Sequence, residues 1–132
     1  MRFVVDAAAA IEFLLRTQLG LHIAALVEDA VLLAPELLDA EVLAVLRRDV
    51  LAGRLKERRA AEALEDLRDW GVERCSHRNL LATAWSFRNN VSGYDALYLA
   101  AAKINHSAVL TADGPLSRVP VVGLVIQNAR IS

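Results

Sequence analysis

Four acidic residues stand in otherwise apolar or small-residue surroundings: Asp6 in FVVDAAAA, Glu41 in ELLDAEVLAVL, Asp95 in VSGYDALYLA and Asp113 in AVLTADGPL. A carboxylate is costly to desolvate alone, and a cluster of them is tolerable only where cations, protons or hydrogen-bond donors compensate. If the four converge, they make an all-oxygen site suited to Mg²⁺ or Mn²⁺ and poorly suited to structural zinc. The single Cys75 supplies no thiolate cluster, and His22, His77 and His106 show no ligand spacing. A divalent ion in such a site polarises a phosphodiester, lowers the pKa of a bound water and stabilises the leaving 3′ oxygen, which is nuclease chemistry.

Each acid also has a local explanation. Asp6 follows a strand-like run and precedes a helical one, so it suits a helix N-cap. Asp95 lies three residues after Ser92, the spacing of a capping box, and Asp113 opens Asp-Gly-Pro, a common turn. Glu41 resists such a reading. Its helical neighbours at i−4, i−3, i+3 and i+4 are Leu37, Leu38, Ala44 and Val45, which places it on an apolar face where it requires a partner.

The elements that must position these acids alternate between strand and helix. Residues 2–5 read as a strand, 7–18 as a helix ended by Gly20, 21–28 as a second helix and 31–34 as a strand closed by Pro35. Pro35 suits the first turn of a helix running past Glu41 to about Leu51, with Gly53 as its break. Helical spacing continues over 55–70, a short strand over 72–75, and a helix over 77–88 with Leu80, Leu81, Ala84 and Trp85 as one apolar stripe. A helix from Ser92 to about Asn105, a strand over 108–111, a turn at Asp113 and a last strand over 119–122 complete the chain. The expected fold class is α/β: a short, mostly parallel β-sheet flanked by helices on both faces. Asp6 and Asp113 then lie at the carboxyl ends of strands, the edge where open parallel sheets place their ligands.

At 132 residues and 55% hydrophobic content, the chain fits one domain over 1–132 that buries roughly 70% of its unfolded surface. The lone cysteine argues against a disulfide scaffold and makes a reducing cytoplasm the default. Asp6 and Glu12 interrupt what a signal peptide needs, and no apolar run approaches spanning length, so no membrane role is expected. The net charge of −1 gives no sign of a nucleic-acid binder, yet setting the four acids aside leaves +3. The basic residues around Arg47–Arg59 are interleaved with acids and read as a solvated helix face.

FVVDAAA, ELLDAEVLAVLRR, RNNVSGYDALYLAAAK and VLTADGPL together resemble the four acidic blocks of the PIN domain, in order and over nearly the whole chain. Within that family, the length and the YDALYLA block are similar to the VapC toxins of bacterial toxin–antitoxin pairs. The resemblance implies a Mg²⁺- or Mn²⁺-dependent endoribonuclease whose acidic quartet is Asp6, Glu41, Asp95 and Asp113. Asp6 and Asp95 are the principal metal ligands in this reading, with Glu41 and Asp113 coordinating a second ion or orienting water. It further implies an RNA substrate, a small cognate antitoxin with a C-terminal segment that wraps the toxin, a homodimer and toxin–antitoxin hetero-oligomers. Thr111 matches the hydroxyl residue often found two positions before the last acid and is expected to hydrogen-bond to the site. The chain departs from the family pattern at Ala8, where many relatives have Ser or Thr, and at Pro115, where some have another acid.

Arg88 shares the expected stripe of Leu81, Ala84 and Trp85, which aims it at a phosphate or buries it as a structural arginine. Ala8 lies where a haloacid-dehalogenase-type phosphatase needs its second Asp, and a receiver domain's acidic pair and late Lys find no place. The alternative to the enzyme is a catalytically inactive PIN-like module that grips RNA or a protein partner.

Overall fold

The structure, a computed structural model, describes residues 1–119 and 124–130. Five strands form one sheet in the order β3-β2-β1-β4-β5, namely β1 (Arg2–Val5), β2 (Val31–Pro35), β3 (Glu73–Cys75), β4 (Ala108–Thr111) and β5 (Ile126–Asn128). All four pairings are parallel. The strand expected over 119–122 runs into residues outside this description, and the fifth strand described is β5. Among the described residues, seven helices connect the strands: α1 (Ala7–Leu14), α2 (Gln18–Leu26), α3 (Leu37–Leu51), α4 (Glu57–Asp69), α5 (Leu81–Trp85), α6 (Gly93–Ile104) and α7 (Gly114–Ser117). A 3₁₀ turn, His77–Asn79, precedes α5.

Alternation along the central strands divides the core into two layers. Phe3 and Val5 of β1, with Leu32 and Ala34 of β2, pack against α1, α2, α3 and α4 on one face. Val4, Leu33 and Val109 face the other way, against Leu80, Ala84, Phe87 and the buried side of α6. Period-two burial on both faces follows from a parallel sheet covered by helices on each side. No single helix among the described residues is long and apolar enough to cross a membrane.

Several boundaries differ from the sequence expectation, each for a local reason. The first helix stops at Leu14 because Arg16 adopts a left-handed conformation (φ 54°), and Thr17 starts α2 by accepting from the Gly20 amide at 2.9 Å. Gly20 lies inside α2, where it permits contact with α1: a Cβ there would fall 1.9 Å from the Glu12 carbonyl oxygen. Pro35 ends β2 and does not enter the next helix, whose first amide, Leu37 N–H, donates 2.8 Å to His77 Nε2. The expected stripe over 77–88 divides, because neighbouring positions on a helix face different ways: Leu80 and Ala84 are buried whereas Leu81 and Trp85, each one position further on, face solvent. The Asp113 turn is the start of α7, with Asp113 as N-cap and Pro115 in its first turn.

Ion pairs and aromatic packing fasten the helices around this sheet. Arg74 donates to the Leu67, Trp70 and Val72 carbonyls and pairs with Asp39 at 2.9 Å, joining β3 and the end of α4 to α3. Phe13 stacks on Trp70 with centroids 4.4 Å apart. The α1–α2 contact at Gly20 allows no extra atom, so Gly20→Ala is expected to lower stability by about 3 kcal/mol, the upper end of overpacking costs. Urea unfolding checks this, as a lower midpoint with an unchanged m-value.

Candidate active site

In strand order, the chain builds outward from β1 to β2 and β3 and then crosses to the opposite side for β4. The point of reversal lies between β1 and β4, which is where an open parallel sheet leaves a crevice at the carboxyl ends of its strands. Asp6 follows β1 directly, and Asp113 lies two residues beyond β4. The Asp6 amide donates to Leu110 O at 3.2 Å, so the first acid is held against the neighbouring strand.

Asp6 is only 5% exposed. One carboxylate oxygen, Oδ1, accepts from the Ala9 amide at 2.9 Å, confirming the N-cap reading, and Oδ2 accepts from the Thr111 hydroxyl. Thr111 is fully buried, and its Oγ1 in turn accepts from the Asp113 amide at 2.8 Å. One hydroxyl therefore fixes the Asp6 carboxylate and the backbone at Asp113 together. Asp113 caps α7 by accepting from the Leu116 amide at 3.4 Å.

Burial raises the Asp6 pKa to about 6, and the charges of Asp113 and Asp95 add to the rise, while the bonds from Thr111 and Ala9 oppose it. Asp95, in the first turn of α6, is also raised, by partial burial and then by Asp113, against a hydrogen bond with Ser92. Ser92 Oγ accepts from the Asp95 amide at 3.2 Å, as the capping-box spacing implies. Asp6, Asp95 and Asp113 thus share one electrostatic neighbourhood.

Glu41 receives the partner its apolar surroundings demand. Tyr98, 2% exposed and one helical turn beyond Asp95, donates its phenol to Glu41 Oε1 at 2.6 Å. Burial and the Glu41 carboxylate push the phenol far above its ordinary pKa, and Asp6 and Asp95 contribute to the same rise. Tyr98 was not among the expected site residues, although its i+3 spacing from Asp95 places both on one face of α6. His77 is a second residue that spacing alone does not single out: by accepting from Leu37 N–H it seats the start of the helix that carries Glu41.

Arg88 is exposed, which removes the buried structural reading; its Nη1 donates to Trp85 O at 3.1 Å, and its guanidinium lies 5.0 Å from the Trp85 ring centroid. Among the described residues, no three His, Cys, Asp or Glu side chains are gathered tightly enough to hold a metal ion as they stand. The donor chemistry nonetheless fits a hard divalent cation. The donors are all carboxylate oxygens, one is desolvated, and the Asp113 charge raises the pKa of both Asp6 and Asp95, a field that a positive charge relieves.

A parallel sheet with its acids at the switch point defines the class: the chain belongs to the PIN domain family, whose model matches residues 3–122. Within that family it is 38% identical over 129 residues to Ribonuclease VapC1 of Mycobacterium tuberculosis, covering 96% of this chain and 97% of that protein. The crystal structure of Mycobacterium tuberculosis VapC20, a Sarcin-Ricin loop cleaving toxin, superposes with a TM-score of 0.66 at 19% identity, covering 96% of this chain and 98% of that one. The Rickettsia felis VapBC2 structure, bound to a promoter DNA fragment, gives a TM-score of 0.62 at 14% identity over 97% of this chain and 98% of that one.

The Asp6 shift has a thermodynamic consequence. The folded chain keeps this proton up to about pH 6 while the unfolded chain releases it near 3.8, so Asp6 erodes stability as pH rises from about 4 to 6, by about 3 kcal/mol at most. Asp6→Asn, which keeps a capping oxygen and removes the charge, is expected to raise the melting temperature at pH 7.5 in chelator by several degrees and to flatten its decline between pH 4 and 6. Scanning calorimetry across that range measures both. Thr111→Val preserves shape but strands the Asp113 amide and removes a donor from Asp6. It is expected to cost about 1–3 kcal/mol and to move the Asp6 titration upward, as read by urea unfolding and by carboxyl NMR.

Proposed function

We propose that this chain is a Mg²⁺- or Mn²⁺-dependent endoribonuclease acting as the toxin of a VapBC-type toxin–antitoxin pair. The observation that carries the reading is the buried Asp6 carboxylate, held by Thr111 and coupled to Asp95 and Asp113 at the switch-point edge. The names of the curated relatives, ribonucleases matched over nearly their whole length, support the same activity.

Asp6 and Asp95 are the principal ligands in this reading, with Glu41 and Asp113 completing the acidic quartet. The ion, when bound, supplies the positive charge that polarises a phosphodiester and makes a water acidic enough to attack at neutral pH. The protein's part is orientation. Thr111 holds Asp6 from its buried side, and the α1 cap leaves that carboxylate no freedom to rotate. Tyr98 occupies Glu41 Oε1 and so leaves Oε2 to accept a proton from water. Because the phenol stays protonated, it remains a donor to Glu41 and does not compete with it as a base.

The proposed partner is a small antitoxin. The groove between α3 and α4, about 280 Å³ and lined by Leu43, Leu46, Val50, Ala60 and Leu64 with Arg47 at its side, suits an amphipathic segment of such a protein. A homodimer completes the proposed assembly, and a reducing cytoplasm is its proposed compartment.

The looseness of the carboxylates favours the second reading, a PIN-like module that binds RNA or protein without cutting. Two measurements separate them. Mn²⁺ is expected to raise the melting temperature of the wild-type chain and not that of Asp95→Asn, whatever the activity. Cutting of labelled RNA is expected to vanish in EDTA, to return with Mn²⁺, and to fall roughly 10²-fold or more in Asp95→Asn and Glu41→Gln. RNA binding without metal-dependent cutting establishes the non-catalytic module instead.

A further inference from the structure

The helix that carries Glu41 begins without a local cap. Glu36 holds the N-cap position of α3 in a helical conformation (φ −55°, ψ −25°), and its carboxylate meets none of the helix's first amides. The position lacks the Ser, Thr, Asp or Asn that ordinarily supplies such a bond. The acceptor comes from another strand. Pro35 pairs with Cys75 at the end of the β2–β3 ladder, the Glu36 amide donates to Cys75 O at 3.1 Å, and the Leu37 amide then donates to His77 Nε2 at 2.8 Å. Two residues beyond the last strand pair, a partly buried imidazole has taken over from the backbone as acceptor. A ring nitrogen that accepts carries no hydrogen, so the hydrogen of His77 sits on Nδ1.

The bond acts on the backbone one turn before the acid. Glu41 follows Leu37 by four residues, about 6 Å along the helix and on nearly the same face. Its carboxylate is met at the other end by the Tyr98 phenol at 2.6 Å. Leu37, Cys75 and Tyr98 pack in one core layer, so the strand end, the first turn of α3 and the phenol form a continuous packed path. Asp39 also ties α3 to β3, through Arg74 at 2.9 Å, but its side chain is 45% exposed, and a pair so open to solvent contributes about 1 kcal/mol or less. That pair holds a side chain, whereas His77 holds the helix backbone itself.

We propose that His77 is a positioning residue for RNA cleavage: by holding the Leu37 amide it fixes the start of α3 and thereby aims the Glu41 carboxylate. The proposal rests on the ribonuclease reading and on the place of Glu41 within it. A helix start that loses its acceptor frays, and a misplacement of about 1 Å in a reacting group costs on the order of 10²-fold in rate.

Single-turnover cutting of labelled RNA with Mn²⁺ tests this in four variants. His77→Phe keeps the ring size and removes the acceptor; it is expected to lower kcat roughly tenfold or more while KM moves less than about twofold. His77→Gln, whose amide oxygen reaches the position of Nε2, is expected to restore most of the rate, whereas the shorter His77→Asn is not. In a Glu41→Gln background, His77→Phe is expected to lower kcat no further, because the two act as one unit. A fold carrying His77 only as a structural cap predicts otherwise: equal losses in both backgrounds, or equal rates for His77→Gln and His77→Asn, overturn the proposal. The Gln and Asn pair keeps that decision open to measurement where His77→Phe does not fold. Wild-type cutting that Glu41→Gln leaves undiminished overturns the positioning role and leaves the ribonuclease reading standing. A wild type that does not cut RNA with Mn²⁺ overturns both.

Discussion

A carboxylate buried between two parallel strands is the constraint on which the rest of this molecule depends. Asp6 is placed by covalent continuity at the end of β1, and the core on either side of that strand leaves it almost no water. A charge in that position is disfavoured, and the chain answers with two donors, the Ala9 amide and the Thr111 hydroxyl. Neither restores full hydration, so the group titrates near pH 6 and the unmet electrostatic demand is directed toward the crevice. Structural and functional demands oppose each other here, as they commonly do where stability yields to a site.

The arrangement around Asp6 is economical because Thr111 acts on both strands. Its hydroxyl donates to the acid on β1 and accepts from the amide that begins the Asp113 cap. Strand pairing brings Val5 opposite Leu110, so Thr111 falls one position further along, at the sheet edge where Asp6 begins. A shift of register by one residue would turn the hydroxyl to the opposite face of the sheet and break the link. The remaining two acids are held by helices seated on the same sheet. Glu41 depends on α3, whose first amide is met by His77 from forty residues away, and on the Tyr98 phenol from α6.

Much of this was legible in the chain. Strand and helix alternation over 2–5, 31–34 and 108–111 reads directly from β-branched runs followed by Ala- and Leu-rich ones, because the period of burial differs between the two states. Capping roles were equally local: Asp6 and Ser92 cap the helices their sequence neighbourhoods announce. The errors arose where a residue has one meaning in isolation and another in contact. Gly20 reads as a helix stop, yet it is the point where α1 and α2 approach too closely for a Cβ. Leu81 and Trp85 read as core by spacing, yet they stand one position round the helix from Leu80 and Ala84, and only the latter pair is buried. Arg88, read on the same stripe, is exposed with its guanidinium over the Trp85 ring.

The sequence by itself determined the identities of the four acids, their order, the strand and helix ends on which they stand, and the requirement that Glu41 find a partner. Those properties follow from short-range chemistry, since caps, propensities and periodicity are written within a few residues. Tertiary structure alone decided that the partner is Tyr98 and that Thr111 joins two acids of different strands. Each of these joins residues that meet only after the sheet has set its strand order and its helices have packed. The pairings lie 57 and 105 residues apart along the chain, beyond the reach of any local rule.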